Sequence, residues 1–568
     1  MVKIPYGTSS FKALVTNGAY YVDRTPYIER IEQSNANYLF FLRPRRFGKS
    51  LFVSTLKHYY GIEYKDEFQT LFGQYYIGKN PTPKANSCLV LTFDFSGIQA
   101  MDSASIQQAF YEKVLQQAKQ FIYHYSPTYF SDEDTSSLVN ASSVAGIIGN
   151  LFVLISWKAR NIPVYLLIDE YDNFANKFLA NSDMFLSIVG QNSFFRSFFE
   201  EIKIWTQSVI NRIFITGVSP LTLDGFTSGF NITSDISTEP LFHDMLGFKK
   251  QEVQQILSYI GVPHAEQETT MSDMKFWYNG YTFSPEIVDP LYNPDMVLYF
   301  ANHYATYKRY PRKLLDTNIA SDSKKLLDLL KLGNQEEAHF QVIKTILDEG
   351  TFQADLTEKF NFERRFTVDD FVSLLYYMGM LTLKGSFLDL LVFGIPNHVI
   401  QVLYFDLFRD LIAKKTNYYI SSRDITNSLY QLSQRNNVRP LLNMAERVLS
   451  GLSNRDSIQF NEKHIKTLLF TLIFGTRIYY VRSEYEVARK YIDLFLEGRR
   501  DAEVKYQFVF ELKYLSKANE KKLEEVKAEA IAQLRGYMAH ESLAKLSDLV
   551  GYVIIFVGTE AKVVEKLL

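Results

Sequence analysis

Four apolar runs in the first half of the chain, each too short for a helix, alternate with segments of helical period. The runs are Tyr38–Leu42, Leu89–Phe95, Val164–Ile168 and Arg212–Thr216. Near-continuous apolar runs of this length are the signature of parallel strands covered on both faces. The helical patterns Ser50–Tyr60 and Ile106–Tyr123 fall between them. Strands alternating with helices predict an α/β layered domain built on a parallel sheet, with boundaries at about 1–245.

After about residue 246 the pattern becomes helical. Lys249–Ile260 reads as an amphipathic helix, and residues 246–475 as a helical lid and connector. Within it, Val368–Asn397 reads as helix, strand, a turn at Gly385-Ser386, and strand, compatible with a winged-helix-like unit at 368–397 or with a plain connector carrying a hairpin. Residues 476–568 return to α/β, with strands Lys490–Leu496, Gln507–Leu512 and Val550–Val557 and a charged helix at Asn519–His540. The chain is long enough for several cores at roughly 150 residues per domain.

A net charge of −2 argues against a uniformly basic nucleic-acid binder but leaves room for a local cluster such as Arg43, Arg45 and Arg46. The single cysteine, Cys88, excludes an internal disulfide or a cysteine-rich zinc site and reads as a small core residue. The apolar stretch Val144–Trp157 falls short of the roughly 20 residues a bilayer requires and reads as a buried helix. No signal-peptide pattern opens the sequence. A cytoplasmic protein with no membrane span is expected.

The box Arg43-Pro44-Arg45-Arg46-Phe47-Gly48-Lys49-Ser50 follows a strand and opens a helix. Gly48, Lys49 and Ser50 match the end of the P-loop pattern, while Arg43 stands at its first glycine. Free amides at a helix N-terminus attract phosphate. Lys49 can reach the β and γ phosphates and Ser50 can hold Mg²⁺, while arginines such as Arg43 and Arg46 can clamp phosphate. Alone, a Gly-Lys-Ser triplet also suits a basic turn before a helix. The second box, Val164-Tyr165-Leu166-Leu167-Ile168-Asp169-Glu170, is an apolar strand ending in two acids. Asp169 at its carboxyl end can coordinate Mg²⁺, and Glu170 can orient or deprotonate water. Arg212–Gly217 resembles a sensor strand carrying Thr216. Asp172 completes a D-E-x-D string, but other helicase motifs are absent.

These boxes resemble those of bacterial AAA-ATPase-like proteins that join a divergent P-loop domain to a C-terminal PD-(D/E)XK nuclease-superfamily domain. The similarity extends to Ile4-Pro5-Tyr6-Gly7, Tyr21-Val22-Asp23-Arg24-Thr25, Trp277-Tyr278-Asn279-Gly280-Tyr281 and Leu291-Tyr292-Asn293-Pro294. In that family the missing first glycine is usual. The resemblance implies ATP binding and hydrolysis, and a C-terminal restriction-endonuclease-like domain.

Such a nuclease domain needs a carboxylate on one strand and an acid-x-Lys triplet on the next, the carboxylates holding Mg²⁺ and the lysine stabilising developing charge. Glu511-Leu512-Lys513 supplies the triplet, with both charged residues on one face of the strand. Asp493 is the first choice for the other carboxylate, Asp501 the alternative, and Glu484 a further upstream acid. Gln533 and Tyr537 form a Q-x-x-x-Y pair that some relatives place beside the active site. The triplet alone also suits a solvated strand edge. The expected function is an ATPase that gates a Mg²⁺-dependent nuclease acting on DNA or RNA. The alternative is a nucleotide-dependent switch with an inactive docking domain. Either admits a homo-oligomer.

Overall fold

The computed structural model describes residues 2–98, 102–179, 182–190, 193–220, 232–315, 322–360, 366–416, 420–453, 461–474, 478–487, 490–499, 502–546 and 548–567. The chain divides into two compact units, Met1–Ile346 with Gly350–Ile400, and Leu347–Glu349 with Gln401–Leu568. No division falls near residue 245. Arg24 binds Glu252, and Arg43 binds the carbonyls of Phe242 and His243, so the α/β layer and the helices after it share one core.

In the first unit, strands β1 (Tyr38–Leu42), β2 (Leu89–Asp94), β3 (Val164–Asp169), β4 (Ile210–Gly217) and β5 (Ser234–Asp235) form a parallel sheet in the order β2-β3-β4-β1-β5. All six residues of β3 are buried, as the unbroken apolar run requires. β3 and β4 each run one residue past the sequence reading, so Asp169 and Gly217 are the last residues of their strands. β4 lies between β1 and β3, where a sensor strand belongs. The carboxyl ends of all these strands therefore meet at one edge. Helix Val144–Lys158 buries Ile147, Ile148, Leu151 and Phe152, but Trp157 is 77% exposed, so the helix is half-buried rather than engulfed. Cys88 is buried.

Further along, β6 (Thr351–Ala354), helix Val368–Tyr377, β7 (Thr382–Phe387) and β8 (Leu390–Gly394) form an antiparallel sheet of order β6-β8-β7 with a helix before the hairpin. The turn expected at Gly385-Ser386 lies inside β7. The chain reverses instead after Phe387, through Leu388 at φ +53°. Gly385, at φ +139°, marks a register shift in the ladder, the place where a strand tolerates glycine. The helix is buried from Asp370 to Tyr377.

The second unit carries helices Ser422–Arg435, Arg439–Ser453 and Glu462–Ile473 and a mixed sheet. Its strands are β9 (Tyr479–Val487), β10 (Lys490–Gly498), β11 (Gln507–Leu515), β12 (Leu549–Val557) and β13 (Glu560–Leu567), in the order β13-β12-β11-β10-β9. β9, β10 and β11 run antiparallel, and β11 pairs in parallel with β12. The parallel pair is made possible by the crossover helix Leu523–Met538. Its Ala530 and Leu534 pack on Val509, Val553 and Ile555 of the sheet. β9 and β13 were not expected. Both are edge strands rich in charge, and edges carry charge to avoid pairing with other chains, which masks the apolar signal. Among the described residues, no helix is long and apolar enough to cross a membrane.

Candidate functional site

Strand β1 ends at Leu42 and the next helix starts at Lys49, so Arg43–Gly48 must turn the chain at the carboxyl edge of the sheet. Arg46 (φ +66°) and Gly48 (φ +95°) make the turn in left-handed conformations. A Cβ on Gly48 would meet nothing within 4 Å, so the backbone angle, not crowding, calls for glycine there. Gly48 offers no side-chain cap, which leaves the first amides of helix Lys49–Tyr60 available to an anion. Lys49 is buried, and its Nζ donates to the carbonyls of Arg43 (2.8 Å) and Pro44 (3.0 Å). Burial pulls its pKa down to about 8 against the opposing fields of Asp169, Asp172 and Glu170.

Arg43 corrects the sequence reading. Its guanidinium turns into the protein and donates to the carbonyls of Leu42 (2.8 Å), Ser237 (2.6 Å), Phe242 (2.9 Å) and His243 (3.2 Å). The rings of Phe41 and Phe283 cover it at 4.4 and 4.2 Å. Burial lowers its pKa to about 10. Arg43 is a strut beneath the loop, not a phosphate clamp. Arg46 does line the cavity above the loop, where its Nε lies 3.8 Å from Asp295.

That cavity, of about 450 Å³, is bounded below by Gly48, Lys49, Ser50 and Glu170. The two N-terminal boxes form its wall through Pro5, Gly7, Tyr21 and Arg24, and Phe248 and Leu298 close it from the helical side. Arg24 contributes by position: it binds both oxygens of Glu252 (2.5 and 2.7 Å) and the carbonyl of Gly247. Asp23 accepts from the amides of Thr25 (2.9 Å) and Tyr76 (2.8 Å) and fixes the segment. The later boxes support the same wall. Tyr281 bridges Leu291, Tyr292 bridges Phe248, and the Asn293 side chain caps helix Pro294–Tyr307.

Of the strand-end acids Glu170 lines this cavity, while Asp169 lines a neighbouring pocket with Asp94, and Ser50 lines both. Asp169 is buried and accepts from Thr216 Oγ1 at 2.6 Å and from the hydroxyl of Ser50. Burial raises its pKa, and the two hydroxyls and Lys49 oppose that rise. Glu170 sits at φ +51°, and Asn173 Nδ2 donates to its Oε2 at 2.8 Å. Burial and then Asp169 raise its pKa. Lys49, Ser50, Asp169, Glu170 and Thr216 are thus brought together from three separate stretches of chain. Asp172 is not part of this group. It accepts from the amides of Val218 and Ser219 and latches the turn after β4. Sequence reasoning missed Asp94, which ends β2 in register with Asp169. Its signal was the same one, an acid closing an apolar run.

In the second unit β10 and β11 run side by side, with Leu494 opposite Phe510. This places Asp493 against the triplet: its Oδ2 accepts from the Leu512 amide at 2.8 Å. Lys513 Nζ lies 2.9 Å from Glu511 Oε1 and 3.4 Å from Glu462 Oε1. Burial, then Asp493, pushes Glu511 up to about 7, against the pull of Lys513. Burial by itself would lower Lys513, but Glu511, Glu462 and Asp493 outweigh it and hold the ammonium above its ordinary range. Glu462 opens helix Glu462–Ile473 and was missed. Nothing in the sequence spacing links it to Glu511; only packing does. Tyr537 donates to the carbonyl of Tyr491, and burial, then Glu511 and Asp493, raise its pKa. Asp501 and the side chain of Glu484 lie outside the described residues.

Glu511 Oε2 is buried without a hydrogen-bond partner. Among the described residues, no three metal-binding side chains converge on one point. Two neighbouring carboxylates, Glu511 with an unpartnered oxygen, nonetheless suit Mg²⁺, which is held by one or two carboxylates and completes its shell with water and phosphate oxygens.

The sheet order, the loop-to-helix turn and the strand-end acids define a P-loop nucleotide-binding fold, joined in one chain to a nuclease-like α/β fold. Residues 5–227 match the family described as a predicted AAA-ATPase, and residues 460–566 match the PD-(D/E)XK nuclease superfamily. It is also similar to an "Uncharacterized protein in vnfD 5'region" of Azotobacter chroococcum mcd 1, at 24% identity over 308 residues, 52% of each chain. The chain thus spans about half the length of that relative.

Proposed function

We propose that this protein binds and hydrolyses ATP with Mg²⁺, and that nucleotide turnover gates a metal-dependent nuclease acting on DNA or RNA. In the first unit Lys49, Arg46 and the loop amides receive the phosphates. Ser50 and Asp169 hold the ion, Thr216 keeps the Asp169 carboxylate in place, and Glu170 orients the attacking water once Asn173 releases it. In the second unit Asp493 and Glu511 hold a divalent ion, which supplies Lewis acidity toward the phosphodiester. Lys513 steadies the charge that develops there. The reading places the protein in the cytoplasm, with nucleic acid as its partner, and admits a homo-oligomer.

The carrying observation is the buried, unpartnered Oε2 of Glu511, flanked by Asp493 and Lys513. A carboxylate held this far from its ordinary protonation is the kind of group that functional sites assemble. The second reading, a nucleotide-dependent switch with a docking domain, draws support from Lys513, which occupies the other Glu511 oxygen.

The test is cleavage of DNA and of RNA with Mg²⁺ or Mn²⁺, with and without ATP, by the wild type, Lys49→Ala and Glu511→Ala. Loss of cutting in Glu511→Ala and altered ATP dependence in Lys49→Ala are expected. ATP binding through Lys49 with no cutting of any substrate would transfer the case to the switch.

A further inference from the structure

Arg46 and Asp295 face each other across the nucleotide cavity. Both line it, and their charged groups lie 3.8 Å apart with side chains 29% and 17% exposed. Arg46 belongs to the phosphate loop, one residue before Phe47-Gly48, has a left-handed backbone and lines the cavity. Asp295 belongs to another part of the unit. It is the second residue of helix Pro294–Tyr307, whose start Asn293 fixes by accepting from the amides of Asp295 (3.0 Å) and Met296 (3.3 Å). The Leu291-Tyr292-Asn293-Pro294 box thereby gains a physical role, since it presents one carboxylate to the loop at a set position.

A carboxylate inside a polyphosphate cavity is unfavourable unless something there offsets it, because like charges at close range repel. The 3.8 Å separation is long for a charge-assisted hydrogen bond, which runs at about 2.7–2.9 Å. The pair is therefore loose enough to exchange. A triphosphate laid along the loop brings several anionic oxygens to the guanidinium, and these compete with the single Asp295 carboxylate.

We propose that Asp295 is a positioning residue that holds Arg46 in reserve. The terminal phosphate of a nucleoside triphosphate takes Arg46 over and frees helix Pro294–Tyr307 from the phosphate loop. This rests on the nucleotide reading of the cavity. It adds a responder to the triphosphate, as distinct from the diphosphate, and names the helix whose tether changes.

The test is Mg²⁺·ATP and Mg²⁺·ADP affinity, by calorimetry on the full chain, for the wild type, Asp295→Asn, Arg46→Ala and the double variant, with Lys49→Ala as control. Removing the competitor is expected to tighten ATP about two- to fivefold, the upper range of a partly exposed ion pair, and ADP less than about twofold. In the Arg46→Ala background Asp295→Asn is expected to gain clearly less, because only the direct repulsion is then relieved. Equal tightening with and without Arg46 would mean simple repulsion and would overturn the proposal, as would unchanged or weakened ATP binding in a folded Asp295→Asn. A wild type that binds neither nucleotide would overturn the nucleotide reading and this inference with it. ATP binding that Lys49→Ala removes but Asp295→Asn leaves alone would overturn this inference only.

Discussion

Thr216 donates its hydroxyl to Oδ1 of Asp169 across 2.6 Å, between the ends of two neighbouring parallel strands, both residues buried. The bond exists because β4 lies between β1 and β3, so the polar residue near the end of β4 meets the acid that closes β3. It is one of the contacts that oppose the burial-driven rise in the Asp169 pKa.

Replacing Thr216 with Val keeps the shape and removes the donor. A hydrogen bond to a charged group contributes about 1.5–3 kcal/mol, so ATP turnover is expected to fall roughly ten- to a hundredfold with the fold intact. Phosphate release at saturating ATP, alongside a circular-dichroism melt, decides it. Undiminished turnover would remove Thr216 from the machinery.

Arg43 and Arg46 are expected to behave oppositely. Arg43→Ala leaves four carbonyls without their donor and is expected to cost about 3 kcal/mol or more. Arg46→Ala, at the cavity wall, is expected to melt near the wild type but bind ATP more weakly. Urea denaturation and calorimetry on both variants read the contrast. A stable Arg43→Ala that loses nucleotide affinity would restore the phosphate-clamp role.

Two glycines separate strain from collision. Gly48 is left-handed in open space, so Gly48→Ala is expected to cost only about 1–2 kcal/mol. Gly280 is at φ +114°, and a Cβ there would lie 1.9 Å from the carbonyl oxygen of Pro396. Gly280→Ala is expected to cost more than about 3 kcal/mol and to separate the Trp277–Tyr281 box from its support. Chemical denaturation of the two variants should rank them in that order; the reverse order contradicts the packing described.

The Glu511 carboxyl sets a pH dependence. Its pKa in the folded protein, about 7, stands above its ordinary value of 4.5. Between those values the folded state binds the extra proton, so this group's contribution to stability is fully present below pH 4.5 and lost as pH rises through 7. Glu511→Gln, which keeps the uncharged form, should gain on the wild type between about pH 5.5 and 8 in urea unfolding. The same proton opposes metal binding, so Mn²⁺ affinity of the wild type should rise about tenfold per pH unit up to about 7 and then level off. A flat profile from about pH 6 to 8 would mean that Glu511 does not bind the ion.

Much of this was open to reading without coordinates. β1, β3 and β4 announce themselves because a strand buried on both faces has no polar alternation. Lys49, Ser50, Asp169 and Glu170 follow from their places at strand and helix ends. Glu511 and Lys513 follow from the two-residue period of a strand. Other features were hidden. β9 and β13 carry the charge that edges require. The hairpin turn was misplaced because Gly385 marks a bulge, a role that glycine shares with turns. Glu462 reaches Lys513 across 3.4 Å but stands 51 residues from it in the chain.

The sequence alone determined that Lys49, Ser50, Asp169 and Glu170 stand where strands and helices of the first sheet end, because hydrophobic period and backbone preference are local properties. Tertiary structure alone decided what each charged side chain does there. Arg43 and Arg46 lie in one box with like chemistry. The carbonyls of Ser237, Phe242 and His243 draw Arg43 inward, while Arg46 lines the cavity beside the carboxylate of Asp295. Those partners come from distant parts of the chain, and an ion or a hydrogen bond is selected by what lies within a few ångströms in space.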